Sequence, residues 1–215
     1  MDKPVVALFD FDGTLALSDT LPLYVRYATG WCGLACSMLS TLPAMVVLAC
    51  SGWNSVWGID AGSTKEKLLK RCFEGRSCSE VDSLCKDFIA KIDTVVAQPV
   101  VERMQWHLAQ GHKVVVVSAS IDVWVRPWCE AHGVHNVIAT RLVQENGRYT
   151  GRFDGLNCNG REKVNRIADY YSPQEYHLIA YGNSSGDYPM FHYAHEAYLC
   201  KDGVIMPYVK DDVKE

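Results

Sequence analysis

The clearest pattern in the chain is an unbroken apolar run, Val5-Val6-Ala7-Leu8-Phe9, that stops at Asp10-Phe11-Asp12-Gly13-Thr14-Leu15. A short run of this kind reads as a strand buried on both faces, as in a parallel sheet. Lys113–Val117 and His177–Tyr181 repeat it, with shorter strands predicted over Val134–Ala139 and, last in the chain, Ala197–Cys200. Helical periods lie between them. Ser18 or Asp19 caps a helix starting near Leu21, with Pro22 in its first turn. Ser63–Arg71 begins an amphipathic helix closed by Gly75, and Ser79-Glu80-Val81-Asp82 opens another, with Val81, Leu84, Cys85, Phe88 and Ile92 on one face. Both helices are expected to turn a charged face to solvent. Pro99 starts a helix that runs to Gln110 and ends at Gly111, and a further helix begins at Ile121 with Trp124, Trp128 and Cys129 inward. Arg126 and Pro127 receive no assignment. Helix-to-strand steps without hairpins imply βα crossovers and hence an α/β fold with a parallel sheet. The exception is Glu145-Asn146-Gly147 between Thr140–Val143 and Arg148–Phe153, a hairpin signal whose expected role is structural.

One stretch departs from this alternation. Residues 27–59 carry no charged side chain, and the nearly apolar run from Gly33 to Cys50 is flanked by Trp31, Trp53 and Trp57. Three readings fit residues 31–57: helices packed on each other and on the core, a hairpin dipping into one membrane leaflet, or a dimer interface. A full span is awkward, because polar strand ends on both sides of the stretch in sequence must meet on one side. Oligomeric state stays open.

Composition narrows the class. The 215 residues suffice for one domain with a sizeable core, or a domain plus a smaller one. A net charge of −4 leaves no basic footprint for nucleic acid. Nine cysteines without a CxxC pair, and a first strand too close to the start for a targeting peptide, point to free thiols in a reducing, cytoplasmic setting. The seven histidines form no ligand cluster.

The candidate chemistry lies at the strand ends. Strand alternation puts Asp10 and Asp12 on one side at the carboxyl end of their strand, where open α/β sheets bind ligands. Two such carboxylates are costly together unless a cation shares the site, and an all-oxygen site suits Mg²⁺. Gly13 permits a sharp turn and Thr14 adds a hydroxyl. The plainer alternative is a strand ending in solvated aspartates. Ser118 ends the second strand just ahead of a helix, so a phosphate there meets a hydroxyl and free backbone N–H groups, including that of Ala119. Ser120 is expected to do no more than cap that helix.

Asp-Phe-Asp-Gly-Thr-Leu, then Ser118, then Lys163 in Gly160-Arg161-Glu162-Lys163-Val164, then Gly182-Asn183-Ser184-Ser185-Gly186-Asp187 resemble, in this order, the four motifs of the haloacid dehalogenase (HAD) superfamily. The long insert after the first motif resembles the phosphoserine phosphatase-like branch (subfamily IB type). The resemblance covers about Val5 to Asp187. It implies a Rossmann-like core over 1–16 plus 96–215 and a helical cap over 17–95. It also implies an Mg²⁺-dependent phosphomonoester hydrolase with Asp10 as nucleophile and Asp12 as acid and base. Ser118 and Lys163 would bind and stabilise the phosphoryl group, with Gly13, Thr14 and Ala119 lining the phosphate. Asp10, the Asp12 carbonyl, Asn183 and Asp187 would hold the metal. Arg161 is a weaker candidate than Lys163, and Asp19 could contact substrate although capping is its expected role. The family usually has Asp where Asn183 stands, and the amide supplies an oxygen without charge. A small phosphorylated metabolite is the expected substrate. The alternatives are a membrane-associated lipid-phosphate phosphatase resembling the phosphatidylglycerophosphatase C type, and an inactive binding protein on the same scaffold.

Overall fold

A computed structural model describes residues 3–30 and 61–210. The uncharged stretch 31–57 and the C-terminal tail after Lys210 lie outside the described residues, so the three readings of that stretch are not addressed by it. Among the described residues no helix is long and apolar enough to cross a membrane.

Strand β1 (Val5–Phe9) is central in a six-stranded sheet. It pairs in parallel with β2 (Lys113–Ile121) on one side and β6 (His177–Gly182) on the other. Strand β3 (Asn136–Thr140) extends the sheet beyond β2, and β7 (Glu196–Lys201) extends it beyond β6, both in parallel. Alternation then divides the core. Ala7, Phe9, Val114, Val116 and Tyr181 join one apolar cluster, whereas Val6, Leu8, Val115, Val117 and Ala180 join the other. Burial on both faces is why these strands show no polar alternation in sequence.

The helices follow in order. Residues 20–30 form α1, and Asp19 Oδ1 accepts the Leu21 N–H at 2.9 Å as its cap. Helices α2 (Ala61–Phe73) and α3 (Cys78–Ile92) complete the described part of the insert after β1. α4 (Gln98–Ala109) and α5 (Asp122–Ala131) flank β2, while α6 (Arg161–Ala168) and α7 (Tyr188–Tyr193) contribute to the second cluster. The insert's two ends meet at its root, where Leu17 N donates to Val95 O at 2.7 Å and Ala97 N to Leu15 O at 2.8 Å. Its helices share one core with the sheet. The Tyr24 ring of α1 stacks on Trp124 of α5 (4.8 Å) and Phe73 of α2 (5.3 Å), with Phe88 of α3 edge-on (5.2 Å). Among the described residues six cysteines are free, and all but Cys78 are buried.

The hairpin of β4 (Leu142–Glu145) and β5 (Arg148–Phe153) turns through Asn146 and Gly147, both at positive φ. It packs on α2 so closely that a Cβ at Gly151 would stand 2.3 Å from Lys70 Cα.

Three boundaries and one added strand differ from expectation. β2 continues past Val117 to Ile121 and resumes pairing with β3 at Ile121↔Thr140 after an irregularity at Ser118. β3 begins at Asn136, because Val134 is taken by a turn in which its N–H donates to Cys129 O. α3 starts one residue early, with Ser77 Oγ accepting the Glu80 N–H. A further strand, β8 (Val204–Pro207), pairs antiparallel with β7 at the sheet edge.

Candidate active site

The carboxyl ends of β1, β2 and β6 converge with the start of α6 and the loop before α7. Asp10 follows β1 directly, its N–H donating to Tyr181 O at 2.9 Å across to β6. The residue is buried, 5% exposed. Oδ1 accepts from Lys163 Nζ at 2.6 Å, and Oδ2 accepts from Thr14 Oγ1 at 3.1 Å. The same ammonium donates to Asp187 Oδ1 at 2.6 Å. Lys163 thus bridges two buried carboxylates brought from opposite ends of the sequence. The other oxygen of Asp187 accepts the N–H groups of Asn183 and Ser184 (3.0 Å each) and the Ser184 hydroxyl (3.1 Å). Those bonds fold the loop after β6 into a short 3₁₀ turn, Ser185–Asp187.

The charges follow from this packing. Burial, reinforced by repulsion from Asp187, pushes the Asp10 carboxyl up to about 7 against the pull of Lys163. Burial disfavours the Lys163 ammonium, but Asp10 and Asp187 outweigh it and hold its pKa above the usual lysine value. Asp12 is also raised, by burial and by Asp19, while hydrogen bonds from Ser120 and Thr20 oppose the rise.

Gly13 is required twice. Its φ is +74°, and a Cβ there would stand 1.9 Å from Asn183 Nδ2. Asn183 therefore lies against the turn after β1, beside Asp10. Ser118 is buried at the β2 irregularity, where its Oγ accepts the Ser120 N–H at 2.9 Å. Ala119 O accepts from Thr140 Oγ1 (2.8 Å) and from Lys65 Nζ of α2 (2.7 Å).

The predicted set of Asp10, Asp12, Gly13, Thr14, Ser118, Ala119, Lys163, Asn183 and Asp187 is gathered in this one region. Arg161 is exposed and stays outside it. Two expectations fail. Ser120 is not a helix cap, since α5 has no side-chain cap and the Ser120 hydroxyl donates to Asp12 Oδ2. Lys65 does not belong to a solvated face, because it turns onto Ala119 O, next to Ser118, and burial lowers its pKa. Neither had a signal in the sequence. Lys65 sits among Lys67, Lys70 and Arg71, as a surface cation would, and Ser120 precedes a helix, as a cap would.

Among the described residues no group of three or more His, Cys, Asp or Glu side chains could hold a metal. The donors at this point are two carboxylates, Asp10 and Asp187, with the Asn183 amide and backbone carbonyls beside them. An all-oxygen set with few carboxylates fits a hard divalent cation that keeps several waters.

The fold and the motif order define a hydrolase of the HAD class. The family model for haloacid dehalogenase-like hydrolases matches residues 7–192, and the chain belongs to that family. It is 29% identical over 199 residues to protein CicA of Caulobacter vibrioides, covering 90% of this chain and 85% of that one. It is also 29% identical over 189 residues to a probable phosphatase of Mycobacterium tuberculosis, covering 86% of this chain and 64% of that one. Among solved structures, a substrate-bound phosphoserine phosphatase complex superposes with a TM-score of 0.59 at 20% identity, covering 92% of this chain and 86% of the other.

Proposed function

We propose that the chain is an Mg²⁺-dependent phosphomonoester hydrolase working through an aspartyl phosphate, with a small phosphorylated metabolite as substrate. The observation that carries this reading is the Lys163 bridge between Asp10 and Asp187 at the carboxyl end of β1. It holds a buried carboxylate ready for attack while supplying a cation for the incoming phosphoryl oxygens.

In this scheme a carboxylate oxygen of Asp10 attacks phosphorus and the ester oxygen leaves, forming the aspartyl phosphate. Asp12 gives the leaving oxygen its proton and then takes one from the water that hydrolyses the acyl phosphate. Ser118, the Ala119 N–H and Lys163 bind the equatorial oxygens. Thr14 fixes the Asp10 carboxylate through Oδ2. Asp10, Asp187, the Asn183 side-chain oxygen and the Asp12 carbonyl would hold Mg²⁺. When bound, the metal lessens repulsion between the phosphate dianion and the nucleophile. Residues 17–95 act as a cap on a core of 1–16 plus 96–215. Lys65, reaching from α2 to Ala119 O, is the cap's cation at the phosphate loop.

The test is phosphate release from a panel of soluble phosphomonoesters, with Mg²⁺, with EDTA, and with Asp10→Asn. Release that needs Mg²⁺ and vanishes in Asp10→Asn is expected. Undiminished turnover by Asp10→Asn would sink the scheme. No release from any ester would favour the inactive binding protein instead.

A further inference from the structure

The proposed scheme uses the carboxyl of Asp12 but does not say what holds it. Thr20 N and Thr20 Oγ1 both donate to Asp12 Oδ1, at 3.0 and 2.8 Å. Ser120 Oγ donates to Oδ2. Behind Thr20, Trp124 Nε1 donates to Thr20 Oγ1 at 2.9 Å. An indole N–H can only donate, so Thr20 Oγ1 accepts from it and turns its single proton toward Asp12. The Ser120 proton is likewise committed to Asp12, which leaves the 3.3 Å approach of the two hydroxyls as packing. Thr20, Ser120 and Trp124 are all fully buried, so the donors themselves are shielded from water.

Each carboxylate oxygen can accept about two hydrogen bonds. Oδ1 is therefore full, and Oδ2 keeps one open position. The two grips come from separate elements, Thr20 from the first residue of α1 and Ser120 from β2. Ser120 is in turn tied to the phosphate loop, through its N–H to Ser118 Oγ.

We propose that Thr20 and Ser120 are positioning residues that fix the rotamer of Asp12 and reserve Oδ2 as the oxygen that exchanges the proton. This rests on Asp12 being the acid and base of the phosphatase scheme. The chain Trp124–Thr20–Asp12 makes placement of the acid depend on how α1 is seated against α5.

The test is kcat/KM for two esters, p-nitrophenyl phosphate and an alkyl phosphate such as glycerol 2-phosphate. This ratio reports steps through cleavage of the ester bond. A nitrophenolate leaves without a proton, whereas an alkoxide does not. Ser120→Ala and Thr20→Val are expected to lower kcat/KM for the alkyl ester by about 10- to 100-fold and for the aryl ester by less than about threefold. Thr20→Ser, which keeps the hydroxyl, is expected to restore the alkyl rate and guards against a folding defect in Thr20→Val. Equal losses on both esters, or no loss on either, would overturn the positioning role. The underlying reading fails separately, if wild type hydrolyses neither ester or if Asp10→Asn hydrolyses both.

Discussion

Replacing Lys163 by Met removes the only cation that bonds Asp10 and Asp187 among the described residues, and leaves both carboxylates in place. Asp10 is 5% exposed and Asp187 fully buried, so water cannot take over. Both contacts are 2.6 Å, short enough for strong charge-assisted bonds. Breaking a buried pair by removing one partner costs about 3–5 kcal/mol, because the remaining charge is uncompensated. With a urea slope of about 2–3 kcal/mol per molar, the unfolding midpoint should fall by about 1–2.5 M. The pH dependence has a definite sign. Burial and Asp187 already raise Asp10 above its unfolded value, and loss of the ammonium raises it further. A carboxyl raised on folding contributes stability at low pH that is lost as pH rises through the folded value. The gap between wild type and variant should therefore be largest near pH 8 and shrink toward pH 5. Urea unfolding in EDTA at both pH values checks this. A gap below about 1 kcal/mol at pH 8, or an equal gap at both, would refute the assignment of Lys163 as the charge that makes this carboxylate pair tolerable. Added Mg²⁺ should stabilise the variant more than wild type, since a divalent cation at the same oxygens replaces the missing charge.

Other sites give further outcomes. His107 is buried, with Nδ1 2.8 Å from His112 Nδ1 and Nε2 2.9 Å from Tyr181 OH. Burial, with His112 and Arg103 nearby, pushes it down from 6.5 to about 4. Its stability contribution is complete above pH 6.5 and lost as pH falls toward 4, about 3 kcal/mol between pH 7 and pH 4. Urea unfolding of His107→Gln should lack that portion of the acid slope, and an unchanged slope would count against it. Gly151→Ala should cost about 2–4 kcal/mol, from the left-handed backbone and a clash with backbone atoms of α2 that cannot yield. A midpoint within error of wild type would show that the hairpin does not pack this closely. Lys65→Met should weaken competitive inhibition by inorganic phosphate about tenfold. An inhibition constant within about twofold of wild type would remove Lys65 from the anion site.

Much of the fold was legible because burial on both faces writes itself as an apolar run. Val5–Phe9, Val114–Val117 and Leu178–Tyr181 have no other economical reading. The sheet was harder to see where polar residues stay in it. Ser118 and Ser120 look like a loop, but the Ser120 hydroxyl donates to Asp12 and Ser118 Oγ accepts the Ser120 N–H, and β2 runs on to pair Ile121 with Thr140. β8 escaped for the opposite reason. It is an edge strand of four residues with Val204 and Met206 exposed, and among the described residues it pairs only with β7, in an antiparallel ladder.

The site divides along a similar line. Asp10 and Asp12 could be picked out from strand alternation, and Lys163 and Asp187 from the motif order that resembles the family, because the proposed chemistry restricts the residue type: a carboxylate must attack, a carboxyl must trade a proton, a cation must sit between anions. The residues that hold these groups are under no such restriction. Asp12 needs hydrogen-bond donors, and a serine, a threonine, a backbone N–H and, one step behind, an indole supply them here. Any of these could serve elsewhere as a cap or a core residue, and Ser120 and Trp124 read that way. Their partners lie 108 and 104 residues away, Asp12 for Ser120 and Thr20 for Trp124, so local pattern contains nothing that joins them. Lys65 follows the same rule from the insert's side. A cation on an amphipathic helix becomes part of a site only through the seating of that helix, and that seating is set by the aromatic contacts of Tyr24, Phe73, Phe88 and Trp124, which the local pattern around Lys65 does not contain.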